Sequence, residues 1–328
     1  MSAEHPTTCA RFGPAMRLRF ILMSFVLATE TAVLSGQDLA PRAYIITPVH
    51  SNAVTLTWSF YNGSLDFNGT IPVTGATGTY HIPVVSYYHS LSIFGRSANV
   101  TTSLPYGIGN FSGDVFGTQR SAYRSGLLDF NVRFSVNLIG GPAMPVEDFL
   151  KWKQKTLLGA SLKVVAPTGQ YNPAKPLNWG LNRWAFKPEI GYSQRWNHWV
   201  LDAYAAVWFF TENSEFFSHN QYFAGTRSKT QSPVTAFEAH LSYDVRPRLW
   251  VSLDANFWSG GETSVNGVPN LATYQRNSRV GVTASIPITA RNSIKLSYND
   301  GAYIRYGGNY RSISASWQYG WVGWPQFH

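Results

Sequence analysis

The sequence predicts an all-β protein: a transmembrane, antiparallel, up-and-down β-barrel of about twelve strands, preceded by a signal peptide. Three observations carry this reading. Only 13% of the 328 residues are Asp, Glu, Lys or Arg, about half of what a soluble surface carries. Aromatic residues reach 15%, with 12 Trp and 18 Tyr, yet mean hydropathy is only -0.14, so the apolar groups are not gathered into long blocks. Instead, segments of about ten residues alternate apolar with small or polar side chains, as lipid on one face and water on the other require. A helical membrane protein would need runs of about 18 or more apolar residues, and no such run follows the N-terminus.

The N-terminus reads as an address. Arg17 and Arg19 precede the apolar stretch Phe20 to Ala28, and the small residues Ala32, Ser35 and Gly36 follow, which is the layout of a secretory signal peptide. Residues 1–36 are assigned to it, with Met16 as an alternative start, and 37–328 to a single barrel domain. A lone membrane anchor is the competing reading, but the stretch is short and has no stop-transfer flank. The only cysteine, Cys9, leaves with the signal, so the mature chain has neither a disulfide nor a cysteine metal site. Removal also takes Arg11, Arg17 and Arg19 against Glu4 and Glu30, lowering the formal charge from +9 to +8. The excess is spread along the chain, which disfavours nucleic acid as a partner and suits anionic lipopolysaccharide or anionic solutes.

The clearest strands lie in the C-terminal half. Phe237, Ala239, Leu241, Tyr243 and Val245 alternate with Glu238, His240, Ser242 and Asp244, and Val251 to Phe257 alternate with Ser252, Asp254 and Asn256. Residues 280–286 and 313–319 repeat the pattern, as do 130–138 and 158–164 earlier in the chain. Residues 184–196 and 198–211 form a hairpin about Asn197-His198, with Trp196 and Trp199 placed for an interfacial aromatic girdle. Weaker segments at 53–61, 80–92, 97–104 and 292–299 bring the number to about twelve. Joints at Asn197-His198, Arg246 to Arg248 and Thr289 to Asn292 are short; those at 167–182, 211–235, 259–276 and 300–309 are long. This alternation, with an even strand number, puts both termini in the periplasm. One inner joint, 140–155, is too long for the rule, and Pro145 to Gln154 reads as a short surface helix at the inner rim.

With the apolar faces toward lipid, the lumen receives Arg133, Lys163, Lys187, Glu189, Arg195, Asp202, Glu238, His240, Asp244, Asp254, Arg279 and Lys295. These can act as ion-pair ladders that fill a narrow interior. Alternatively, Arg133, Lys163, Arg183, Lys187, Glu189, Arg195, Glu238, His240, Asp254 and Arg279 line a polar solute track. Catalysis has thin support. His240 lies near Glu238 and Asp244, and His198 near Asp202, but both histidines sit toward the inner rim, no Gly-x-Ser-x-Gly elbow is present, and no His pair has metal spacing.

The most individual stretch runs from Leu162 through Pro167, Gly169 and Tyr171 to Asn182, Arg183, Trp184, Phe186, Lys187, Pro188, Glu189 and Gly191. Physically, Pro167 and Gly169 end a strand and turn it, Arg183 and Trp184 mark re-entry into the membrane, and Lys187 and Glu189 share one face two residues apart, where they can staple two strands or form a constriction. The Pro-x-Gly-x-Tyr loop, the Asn-Arg-Trp step and the Phe-Lys-Pro-Glu-x-Gly strand resemble a family of transporter-like outer-membrane proteins linked to the meta-pathway of phenol degradation. Asp38 to Tyr44 is similar to the start of that family's mature domain. The resemblance implies an uptake role in the Gram-negative outer membrane. The expected function is passive or facilitated passage of small solutes, aromatic or hydrophobic ones among them, with no catalytic residue, metal or cofactor. Expected partners are outer-membrane lipid, lipopolysaccharide, the solute and the barrel-assembly machinery. The alternatives are a closed structural or adhesive barrel with Tyr-rich outer loops, such as Tyr222-Phe223 and Tyr303 to Tyr310, and a hydrolase at the rim.

Overall fold

Alternation in sequence becomes alternation in burial. In β10 (Val234–Arg246) the side chains of Val234, Ala236, Glu238, His240 and Ser242 are buried, while Phe237, Leu241 and Tyr243 face outward. In β11 (Leu249–Gly260), Ser252, Asp254, Asn256 and Trp258 are buried, and Val251, Leu253 and Phe257 are exposed. An exposed Phe or Leu in every second position would be costly in water and is what a strand needs against lipid.

In a computed structural model of the protein, residues 40–66, 73–175, 177–219 and 225–323 are described. The signal peptide, Asp38, Leu39 and the Tyr222-Phe223 loop lie outside the described residues. The remaining elements are β1 (Ser51–Leu65), β2 (Val73–Ile93), β3 (Arg96–Val115), β4 (Thr118–Leu127), β5 (Asn131–Ile139), α1 (Val146–Phe149), β6 (Thr156–Val165), β7 (Ala185–Trp196), β8 (Trp199–Phe210), β9 (Lys229–Gln231), β12 (Thr263–Val265), β13 (Val268–Asn270), β14 (Gln275–Pro287), β15 (Asn292–Ile304) and β16 (Gly308–Val322). Twelve strands form a closed antiparallel barrel in the order β1-β2-β3-β5-β6-β7-β8-β10-β11-β14-β15-β16, and β16 returns to β1 from Ser51↔Val322 to Leu65↔Gly308. Each of the twelve segments read from the sequence falls on one of them. β4 continues β5 upward: β3 pairs with β5 up to Ser103↔Asn131 and with β4 from Tyr106↔Leu127.

The barrel has two unlike ends. One carries the tight turns Phe94-Gly95, Asn197-His198 and Pro247-Arg248, together with the start of β1 and the end of β16. Phe94 and Asn197 take positive φ of 49° and 50°, which places each in the left-handed region that a two-residue hairpin turn needs. The other end carries the long connections and a small sheet of β9, β12 and β13. At this end β2 and β3, 21 and 20 residues long, overhang the roughly ten residues a membrane crossing requires.

Three sequence expectations change. The joint 300–309 is not a long loop, since β15 and β16 leave only 305–307 between them. The Asn277 side chain holds this turn, accepting from Arg305 N at 2.8 Å and donating to Tyr306 O at 2.9 Å; β15 and β16 pair with each other as far as Asn299↔Ser312, beyond which Gly301 pairs with Arg279 on β14 and Gly308 with Leu65 on β1. The helix expected over 145–154 is one turn, Val146–Phe149, begun by Pro145 without a side-chain cap. The upper parts of β2 and β3, and all of β4, carried no expected strand.

The ladder lapses where proline removes a donor. Between β2 and β3 the pairs His81↔Ile108 and Val84↔Pro105 bracket an unpaired step at Pro83, and between β7 and β8 the pairs Phe186↔Phe209 and Glu189↔Ala206 bracket Pro188. An apolar groove of about 540 Å³, lined by Trp58, Pro83, Val85, Tyr106 and Trp317, covers the first of these on the outer surface.

Leu253 is 64% exposed near the middle of β11. Leu253→Arg should lower folded stability by about 2–4 kcal/mol in lipid, whereas Thr55→Lys, on the wet face, should change it by about 0.5 kcal/mol or less. Urea titration in liposomes with heat-modifiable gel mobility as the readout measures both, and equal costs would contradict the assignment of faces.

Candidate functional site

Register brings the lumen charges together. Arg133 on β5 lies opposite Lys163 on β6, which lies opposite Lys187 on β7, so three cations occupy one level on adjacent strands. Two residues further along β7, Glu189 answers them: its Oε1 is 3.2 Å from Arg133 Nη2 and its Oε2 is 2.8 Å from Lys187 Nζ. Lys187 Nζ also donates to Glu238 Oε1 on β10 at 3.0 Å. His240 continues the chain, with Nε2 at 3.7 Å from Glu238 and Nδ1 at 2.8 Å from Asp254 Oδ1 on β11. Asp254 is further held by hydroxyls donated from Ser252 at 2.7 Å and Thr283 at 2.6 Å. One polar chain therefore joins side chains of β5, β7, β10, β11 and β14. Buried charges are tolerated only when paired in this way.

The other sequence-selected residues lie elsewhere. Arg279 donates to Asn299 at 2.9 Å and sits 3.9 Å over the Tyr310 ring. Arg195 pairs with Asp244 near the short-turn end. Arg183 lies near the long-loop end, hydrogen-bonded to Gln231 and stacked 4.5 Å over Phe210. Lys295 lines the lumen on β15. His240 lies between two carboxylates, Glu238 and Asp254, and the Ser252 hydroxyl donates to Asp254. Among the described residues no group of three His, Cys, Asp or Glu could hold a metal ion.

The segment just before β1, which in the sequence resembles the start of the family's mature domain, folds inside the barrel, a placement the sequence reading did not foresee. Arg42 N donates to Asp202 at 3.1 Å, the Arg42 guanidinium is 2.7 Å from Asp244, and Ala43 N donates to Tyr204 Oη at 3.0 Å. The Tyr44 hydroxyl donates to Glu189 at 2.9 Å and is 3.0 Å from Ser161 Oγ. Burial, and then the Glu189 carboxylate, hold the Tyr44 phenol above its ordinary pKa, so it remains a donor. Its ring lies on Gly159 and Gly191, which face each other across β6 and β7, and a Cβ at either would overlap the ring. Those two facing glycines on the wet surface were the available signal.

The family-like motif receives physical roles. The loop after β6 folds back onto the junction of β4 and β5, where the Asp129 carboxylate accepts Gly169 N at 2.8 Å and Leu181 N at 2.9 Å. Burial pushes the Asp129 pKa up, while those two amides and Arg183 pull it down. Gly169 and Gly180 pack backbone to backbone. Trp179, between them and the barrel, fills the lumen over Gly107. Asn213 ties the rest, donating to Tyr171 Oη at 3.0 Å and accepting from Asn182 Nδ2 at 2.9 Å. Trp184 and Phe186 stack on the outer surface, Pro167 is exposed, and Lys187, Glu189 and Gly191 line the wet side.

Two regions result. Near the long-loop end an apolar plug joins Tyr80, Ile82, Phe111, Leu177, Trp179 and Tyr310, and a second cluster joins Ala185, Trp208, Val234 and Trp258. Below them a polar cavity of about 1210 Å³ runs from Arg291 and Val322 at the short-turn rim up to Arg133, Lys163 and Lys187, with the Arg42 to Pro48 segment along its wall.

The model of the family described as "Putative MetA-pathway of phenol degradation" matches residues 55–315. The chain belongs to this family. Its segment Ala40 to Tyr44 precedes the match. Among solved structures, the COG4313 outer membrane channel from Pseudomonas putida F1 is 16% identical over 87% of this chain and 100% of its own, with a TM-score of 0.70. The beta domain of the Bordetella autotransporter BrkA is 11% identical over 82% and 99%, at 0.47, and the Pseudomonas putida toluene transporter TodX is 9% identical over 87% and 95%, at 0.44. No curated protein sequence matches. The fold of this family member is that of a Gram-negative outer-membrane channel.

Two outcomes follow for the lumen. Gly191→Val should expel the Tyr44 ring, so that trypsin cuts after Arg42 in the folded variant while the wild type is protected there; equal protection would contradict the seating of this segment. Glu189→Gln leaves Arg133 and Lys187 without their shared carboxylate and should cost about 3 kcal/mol, read as a lower urea midpoint.

Proposed function

We propose that the protein is a passive or facilitated channel of the outer membrane for small solutes, aromatic or hydrophobic ones among them, with no covalent chemistry. The observation that carries this reading is the cavity of about 1210 Å³ that enters from the short-turn rim and ends beneath an aromatic plug. A barrel serving only as a scaffold would fill that volume with side chains. Membership of a family associated with phenol degradation supports an aromatic solute.

The short-turn end, with both barrel termini, is the periplasmic one in this reading, and the long-loop end faces outward, toward lipopolysaccharide. An N-terminal signal peptide and the barrel-assembly machinery bring the chain there. Arg133, Lys163, Lys187, Glu189 and Glu238 line the track, and the Arg42 to Pro48 segment narrows it.

Purified protein in planar bilayers should give discrete conductance steps, and Tyr44→Ala combined with Arg42→Ala should enlarge them. Swelling of loaded liposomes should then follow uptake across a phenol series, with Lys187→Ala altering the rate. Persistent electrical silence of both wild type and double variant would sink the channel reading.

A further inference from the structure

Arg279 on β14 departs from the pairing of opposite charges that holds the polar chain together. Its side chain is 1% exposed, yet it makes no ion pair with any described residue. By register it lies between Asn256 on β11 and Gly301 on β15. The acids nearest to it in register are already engaged. Asp254 is held by His240, Ser252 and Thr283, and Glu238 by Lys187. A guanidinium does not shed its proton in a protein, so burial leaves a full charge inside the wall, where it is costly without a counter-charge.

The geometry of the guanidinium narrows the need to one edge. Nη1 donates to Asn299 at 2.9 Å, and the group sits 3.9 Å over the Tyr310 ring. Nε and Nη2 have no hydrogen-bond partner among the described residues. These two nitrogens share one side of the planar fork, the side that grips an anion through two parallel N–H bonds. Tyr80, packed edge-on against Tyr310, adds a buried hydroxyl that likewise has no partner among the described residues. Water could accept from these donors but would supply no charge, whereas an anion does both. Arg279 is not among the residues lining the cavity of about 1210 Å³, so the anion that fits is a small one.

We infer that the Nε and Nη2 edge of Arg279 binds a single monovalent anion of chloride size, a buried counter-ion where the polar chain meets the aromatic plug. This site goes beyond the channel reading and stands whether or not the lumen conducts.

Crystals grown with sodium bromide in place of sodium chloride test the site directly, because bromide occupies chloride sites and scatters anomalously. An anomalous peak in hydrogen-bond contact with Nε and Nη2 of Arg279 is expected. In solution, the detergent-folded protein should broaden the chloride NMR line, and added bromide should reverse the broadening. Arg279→Met, with folding checked by heat-modifiable gel mobility, should lose about tenfold or more of that chloride affinity, the worth of one charge-assisted hydrogen bond. Bromide peaks confined to other places, or chloride broadening unchanged in the folded variant, overturn the inference. Should Arg279→Met not fold, the wild-type crystal decides. Electrical silence in bilayers would defeat the channel reading and leave this site untouched, whereas a conducting channel without bromide at Arg279 would do the reverse.

Discussion

Hydrocarbon offers the backbone no hydrogen-bond partner, so each N–H and C=O inside the bilayer must be paired within the chain. That constraint closes the sheet: β16 meets β1 over fifteen residues of each, leaving no edge. It also explains why departures from the ladder are few and supported from behind. At Pro105 the carbonyl is taken by Leu128 N at 3.0 Å. Where Gly107 loses its ladder partner, Trp179 presses against it from inside. The loop that carries Trp179 is held in turn by Asp129, so one carboxylate at the β4–β5 junction supports a weak step two strands away.

The same constraint decides what could be read from the sequence. In β10, β11, β14 and β16 every residue meets either lipid or lumen, and the contrast is written at each position; strands and inward-facing charges were therefore legible. Upper β2, β3 and β4 rise past the lipid, and their pattern dissolves. Gly78, Gly107 and Gly109 replace side chains there because the rings of Phe111, Tyr80 and Trp179 occupy the space, and no period-two signal survives such packing. Between Asp300 and Asn309, Gly, Asn and Tyr read as a loop, and side chains far away in sequence, Asn277 and Asp66, hold the three-residue turn.

The candidate site was legible as a set of charges and illegible as an arrangement. Glu189 was paired with Lys187 by their spacing, but its contact with Tyr44 spans 145 residues and has no local trace. Arg42 and Tyr44 belong to the stretch that resembles the start of the family's mature domain, but nothing near them in the sequence puts them inside the barrel. Their meaning comes from Gly159 and Gly191, Asp202 and Asp244, all on other strands.

How this segment is held bears on how a filled barrel can conduct. A core seated by apolar burial resists removal, because each side chain returned to water costs about 1.5–3 kcal/mol. Besides the buried Tyr44 ring, the Arg42 to Tyr44 stretch is seated by hydrogen bonds and ion pairs to Asp202, Tyr204, Asp244, Glu189 and Ser161. Each such contact has a net worth of only about 0.5–1.5 kcal/mol when water can replace the partner, and the cavity beside the segment brings water within reach. Lifting it leaves Asp244 with Arg195, and Glu189 with Arg133 and Lys187, whereas the buried Asp202 loses the Arg42 amide. The two ion-paired acids, Glu189 and Asp244, thus keep cationic partners with or without the segment.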